Sequence, residues 1–430
     1  MKLLILGINY APEIISTGLY TTDLAEAMSR MGETVEVVAA QPYYPAWKVF
    51  DGYPRFFWSS ERMESGVHVV RCPHYVPARP TGARRILHHL SFTLTAFPVL
   101  LWKSLRFRPD MVFVATPALL PAPAGWLAAR LCGAKCWLHV QDFEVEAAFA
   151  TGLLRERSLA GRLARQFDRW IHHRFDRVSS ISIAMMNRLR WLGIPEERLF
   201  DLPNWARLDA VKPLTGPSHY RQEFGITTPH VALYSGNIAN KQGLEILPEV
   251  ARHLAHRDDL TFVICGDGPF LPELRRQAAG LANVRFFPLQ PAERLGDLLG
   301  VATLHLLPQI AGVADLVLPS KLTNMLASGR PVVATAKPGT ALAEAIEGCG
   351  AIAPPGDPAG MAEAITHVID DRMTYAARCQ AARDRALDRW DAERTLRRFR
   401  NGALELIGHK GMNQKPEESM DLQRVKEDRT

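Results

Sequence analysis

The run Pro319–Gly329 (PSKLTNMLASG) carries the punctuation of a short helix. Ser320 is a natural N-cap, and Gly329 a natural residue to end the helix. Lys321 then falls in the first turn, where a cation opposes the helix dipole. That placement makes sense if an anion binds at the same end; a solvated surface lysine is the alternative. The loop Ser235–Gly243 (SGNIANKQG) poses the same question. Gly236 lets the backbone approach a ligand closely, Asn237 follows it, and Lys241 supplies a second point charge at the start of the next helix. Cations and N–H donors gathered in this way suit a departing diphosphate, on which negative charge builds. A loop with one solvated lysine would look alike. Cys265-Gly266-Asp267-Gly268-Pro269 is another glycine-rich turn after a strand.

In the first half, the run Leu138–Glu146 (LHVQDFEVE) ends a strand with Asp142 and Glu144, where a hydroxyl-binding carboxylate would belong; solvated loop acids are the bland reading. His139 lies inside the apolar strand and reads as a core histidine. Tyr10–Gly18 brings Gly18 to the opening of the first helix, with Thr17 able to cap it. An ordinary strand-to-helix turn would look the same, and the GxGxxG of a dinucleotide site is missing from the chain.

The elements that must position these residues alternate. Lys2–Asn9 is a continuous apolar strand, as a parallel sheet covered on both faces requires. Tyr20, Leu24, Ala27, Met28 and Met31 then fall on one helical face, and Gly32 stops that helix. Further strands are expected at Thr34–Ala40, Val67–Arg71, Met111–Ala115, Lys135–Val140 and Arg177–Ile183, with helices at Ala83–Leu105, Ala122–Cys132 and Leu159–Phe175. Lys212–Tyr220, with two prolines and a glycine, reads as a linker. A second series starts at His230–Ser235 and Gly243–Leu254. It continues with strands at Leu260–Cys265, Val284–Pro288, Thr303–Pro308, Pro331–Ala336 and Ala351–Ala353. The pattern predicts an α/β protein of two doubly wound, Rossmann-like domains facing each other across a cleft, over 1–209 and 210–390. A last helix, about 391–407, is expected to pack back on the first domain, and 408–430, polar and without apolar period, to be disordered. Ligands of open parallel sheets bind beyond the carboxyl ends of the strands, which is where the loops above lie.

Composition excludes little. Hydrophobic residues make up 47% and charged residues 22%, as in a soluble enzyme. Lys and Arg exceed Asp and Glu by 51 − 45 = 6, which suits a phosphorylated substrate or an anionic membrane face as well as nucleic acid. Six cysteines without metal spacing or a disulfide pattern favour a reducing compartment and no zinc. The apolar run Leu3–Ile8 is too short for a signal peptide. No Asp-x-Asp occurs, so no sequence motif for a divalent cation is present and the lysines and helix ends are left to neutralise a leaving group.

The ordered set of the first-domain glycine loop, Leu202-Pro203-Asn204-Trp205, Gly236…Lys241, Gly266-Asp267-Gly268-Pro269 and Ser320-Lys321…Ala327-Ser328-Gly329-Arg330-Pro331 resembles the GT-B glycosyltransferases of family 4 over nearly the whole chain. Leu138–Glu146, Tyr234–Gly243 and Leu318–Gly329 look most like its members from colanic acid exopolysaccharide assembly. The resemblance implies a retaining hexosyl transfer from a nucleotide diphosphate sugar, with a GDP-sugar such as GDP-fucose expected and the donor held mainly by the second domain. It implies Lys241 and Lys321 on the diphosphate and Gly18 near sugar and phosphate. Asn324 aligns with the family's second glutamate, which binds ribose hydroxyls. Asp315 lies near, but out of register with, the first glutamate, which meets the donor sugar. Asn237 stands where many members carry Arg, and Gln141 where many carry His.

The expectation is therefore an enzyme with no cofactor, acting on a lipid-linked oligosaccharide acceptor, peripheral on the cytoplasmic face of the membrane and not bound to nucleic acid. A sugar-nucleotide epimerase of the same fold and a non-catalytic membrane scaffold are the rivals. For the membrane contact the candidate is Ile86–Leu105, with Arg84, Arg85, Lys103, Arg106 and Arg108 around it. It is nearly long enough to span, but its polar residues and Pro98 favour an interfacial helix. A helix buried in the domain is the alternative.

Overall fold

The computed structural model describes residues 1–13, 17–150, 154–155, 157–206, 208, 210–239, 242–310 and 318–408. Lys241, Asp315 and the expected disordered tail beyond 408 lie outside the described residues.

The first apolar run forms β1 (Lys2–Gly7), with Leu3, Leu4, Ile5 and Leu6 fully buried. It is followed by β2 (Thr34–Ala40), β3 (Ser59–Arg62), β4 (His68–Cys72), β5 (Met111–Ala115), β6 (Lys135–Val140), β7 (Arg177–Ser180) and β8 (Leu199–Asp201). These eight strands make one sheet in the order β3-β4-β2-β1-β5-β6-β7-β8. β1 runs parallel to both β2 and β5, β2 to β4 and β7 to β8, whereas the edge strand β3 is antiparallel to β4. The chain thus turns back at β1, between β2 and β5.

The second sheet contains β9 (His230–Ser235), β10 (Leu260–Cys265), β11 (Val284–Phe287), β12 (Leu304–Leu307), β13 (Val332–Thr335) and β14 (Gly350–Ala353). All its pairs are parallel, in the order β11-β10-β9-β12-β13-β14. That is the doubly wound order of a Rossmann sheet, and its switch point falls between β9 and β12. Both faces are covered, which explains why Val231–Tyr234 and Leu260–Cys265 are buried without alternation.

The chain divides into two compact units. One holds Met1–Leu138, Arg174–Arg177 and Arg397–Thr430; the other holds His139–His173 and Val178–Leu396. The last helix, Ala392–Leu406, enters the first unit at Arg397 and delivers Phe399 to its core. Its ring, fully buried, lies 5.2 Å from that of Phe113 on β5 and 4.9 Å from that of Trp137 on β6. Arg400 binds Glu33 at 2.5 Å, and Glu33 also holds the N-terminal ammonium at 2.6 Å.

Three expectations need correction. Helix Ile183–Trp191 begins where a strand was expected to end, because Ser182 caps it by accepting from Met185 N–H. The helix expected over Gly243–Leu254 starts as a tight turn at Leu244 and becomes regular only over Leu247–His253. Ser320 does not cap helix Lys321–Ala327: its own backbone is already helical, so its hydroxyl makes no cap bond. The Leu322 N–H donates instead to the Pro319 carbonyl, 2.9 Å away.

Candidate donor site

The switch point between β9 and β12 gathers the predicted phosphate residues. Tyr234, the last buried residue of β9, turns its hydroxyl out of the core and donates it to the Asn237 carbonyl at 2.6 Å. That bond folds the Ser235–Ile238 loop over the end of the strand. Lys321, first residue of its helix, reaches the same hydroxyl at 3.0 Å and the Gln242 side-chain oxygen at 3.2 Å. Its ammonium also sits over the Tyr234 ring, 4.1 Å from the centre, as a cation over a π face.

Both neighbours of Lys321 are neutral, and among the described residues no carboxylate pairs with it. Burial therefore acts unopposed and pushes its pKa down to about 7. The site holds a partly discharged cation whose charge an incoming anion would restore.

Glycine is favoured here by backbone at one position and by space at two. Gly236 has φ +128°, which a side chain rarely allows, although a Cβ there would meet the Lys321 stem at an ordinary contact distance of 4.0 Å. A Cβ on Gly266 would stand 1.9 Å from the Gly236 carbonyl oxygen. The loops after β9 and β10 are thus packed backbone on backbone, tied by Ile238 N–H to the Asp267 carbonyl at 2.8 Å and Gly236 N–H to the Cys265 carbonyl at 3.0 Å. A Cβ on Gly268 would stand 2.3 Å from the Ile238 carbonyl oxygen and would also meet the Asn237 side chain at 2.8 Å. Asn237 itself is exposed, as is Ser320. One turn beyond Lys321, the Asn324 side-chain oxygen is buried and has no hydrogen-bond partner among the described residues, an acceptor left open.

A second cluster of the same unit lies after β6. The Gln141 amide donates to Asn204 Oδ1 at 3.1 Å and accepts from Asn204 Nδ2 at 3.2 Å. Gln141 Nε2 also donates to His139 Nε2 at 2.9 Å, which leaves the proton of the neutral ring on Nδ1, facing Ser179 Oγ at 2.9 Å. His139 is buried, and burial lowers its pKa to about 3, so it is a satisfied core histidine. The two motifs LHVQD and LPNW therefore meet through Gln141 and Asn204. Asp142 is the exposed residue after this knot, with its carboxyl raised above the usual range by partial loss of hydration.

Gly18 belongs to the first unit. It is buried beside the Glu13 backbone and Asn9, where a Cβ would come within 3.2 Å of the Glu13 carbonyl oxygen. The structure brings together Gly236, Asn237, Gly266, Gly268, Ser320, Lys321 and Asn324; Asp142 forms part of the separate Gln141 cluster. Tyr234 and Gln242 were missed by sequence reasoning. Tyr234 reads there as one more buried strand residue, and nothing local marks a contact with Lys321, 87 residues on.

The comparisons with known proteins agree with this geometry. Residues 17–205 match the family described as glycosyl transferase 4-like domain, and residues 229–371 match glycosyl transferases group 1. The chain is 38% identical over 409 residues to the putative colanic acid biosynthesis glycosyl transferase WcaI of Escherichia coli K12, covering 93% of this chain and 99% of that protein. The chain belongs to the family 4 glycosyltransferases. Solved structures show the GT-B fold for this glycosyltransferase. Sucrose-phosphate synthase from Thermosynechococcus elongatus superposes with a TM-score of 0.72 at 15% identity, covering 94% of this chain and 98% of that one. Anabaena HepE in complex with UDP gives 0.69 at 18%, covering 94% and 100%. Among the described residues no helix of this glycosyltransferase is long and apolar enough to cross a membrane.

Proposed function

We propose that this glycosyltransferase moves a hexose or deoxyhexose from a nucleotide diphosphate sugar, GDP-fucose as donor, to a lipid-linked exopolysaccharide intermediate of the colanic acid kind. Transfer retains the anomeric configuration, needs no metal ion, and takes place at the cytoplasmic face of the membrane. The observation that carries the reading is Lys321, a part-buried amine set between neutral groups beside Gly236, which carries no side chain. A diphosphate placed there would accept from Lys321, with Lys241 the second cation that the resemblance implies, while its charge grows as the bond to the sugar breaks. Asn324 would offer its unpartnered oxygen to a ribose hydroxyl. The likeness to the colanic acid enzyme supports a place in exopolysaccharide assembly.

The test is incubation with a panel of nucleotide sugars in EDTA, with and without lipid extract from an exopolysaccharide-producing cell. Release of GDP from GDP-fucose that depends on the lipid is the expected result. Conversion of the donor without lipid would mean an epimerase, and a strict Mg²⁺ requirement would overturn the metal-free transfer.

A further inference from the structure

We propose that the first unit docks on an anionic lipid bilayer through the outer face of helix Gly82–Arg106 and the aromatic turn Phe56-Phe57-Trp58. The turn is unusual for a surface in water: Phe56 is 78% and Phe57 71% exposed. It is nonetheless held in place. The buried Gln41 amide donates to the Phe57 carbonyl at 3.1 Å, and the Trp58 indole N–H donates to the Thr95 carbonyl at 3.0 Å. The second bond clamps the turn against the middle of the helix, next to Leu94.

Along that helix Leu87, Leu90 and Leu94, then Trp102 and Leu105, are exposed on one face, with exposed Pro98 midway between the two groups. The opposite face, with His88, Phe92, Ala96 and Leu100, is fully buried in the unit. The helix is therefore fixed in the fold and can only lie along a membrane, with Trp58 and Trp102 suited to the headgroup level.

Charge selects the bilayer over a second copy of the chain. No acidic residue occurs between Glu64 and Asp110. Arg79, Arg84 and Arg85 are exposed near one end of the stripe, Arg106 and Arg108 at the other. Two copies packed stripe on stripe would oppose arginines to arginines in either direction, with no carboxylate of the helix to pair them. Anionic headgroups around an apolar interior satisfy both the stripe and its ends. The proposal deepens the reading of a lipid-linked acceptor, yet bilayer binding requires neither donor nor acceptor, so each can fail alone.

The experiment is co-sedimentation of the full chain with vesicles of phosphatidylcholine alone or mixed with phosphatidylglycerol, at low and high salt. Binding is expected only with phosphatidylglycerol and is expected to weaken in high salt. The double variant Phe56→Ser/Phe57→Ser, and separately Arg84→Gln/Arg85→Gln, should each lower the affinity about tenfold or more. Both should keep the melting temperature and the stabilisation by GDP of the wild type. Wild-type protein that stays in the supernatant with phosphatidylglycerol vesicles at low salt would overturn the proposal. So would equal binding to pure phosphatidylcholine, or variants that bind as wild type. A concentration-dependent dimer abolished by Leu94→Gln, without vesicle binding, would assign the stripe to a second copy instead.

Discussion

The Lys321 ammonium lies 3.0 Å from the Tyr234 hydroxyl, which itself holds the Asn237 carbonyl at 2.6 Å. One phenol thereby fixes both the cation and the loop that would cradle a phosphate. The tyrosine presents an oxygen without offering a negative charge, so Lys321 is positioned without a counter-charge.

Removal of that cation is the plainest test of its role. Lys321→Ala should lower kcat with saturating donor by about 10²–10³, the usual effect of losing one preorganised electrostatic donor. The circular dichroism spectrum should be unchanged, since Lys321 contributes no ion pair to the fold among the described residues. Turnover near wild type would reject Lys321 as a diphosphate ligand.

Gly266→Ala addresses the backbone packing that shapes the site. Its Cβ would overlap the Gly236 carbonyl, 1.9 Å away, so the two loops must separate. A loss of about 1–3 kcal/mol of stability is expected, with a raised KM for the donor. Urea unfolding and steady-state kinetics check both; an unchanged donor KM would show that the spacing of the loops does not matter.

The last helix is needed by the first unit. Phe399→Ala would leave a cavity between Phe113 and Trp137 and should cost about 3–5 kcal/mol. Thermal unfolding measures it, and a melting temperature equal to wild type would contradict the packing.

Much of this was legible in the sequence where side-chain pattern and backbone role coincide. β1, β9 and β10 are apolar runs because both faces of their sheets are covered, and the Gly266–Gly268 turn is glycine-rich because a Cβ has no room. The edge strand β3 (SSER) was illegible, since an exposed edge has no buried face to impose alternation. Helix Arg372–Trp390 hid behind its polarity, with only Ala382, Ala386 and Trp390 buried. The Tyr234–Lys321 and Gln141–Asn204 pairs were invisible because they join residues 87 and 63 positions apart, and only the sheet order brings them together.

The central claim is that Lys321 waits partly neutral for a diphosphate. Its pKa of about 7 in the free protein, against an ordinary 10.5, leaves it mostly deprotonated between those values. A bound diphosphate favours the charged form, so binding above pH 7 must take up a proton, and affinity must fall as pH rises. Calorimetric titration of GDP at pH 8 in EDTA, in two buffers of different ionisation enthalpy, reads that proton directly. The account predicts proton uptake by the wild type, and weaker binding without that uptake by Lys321→Ala. Equal affinity and equal proton uptake in the two proteins would contradict it.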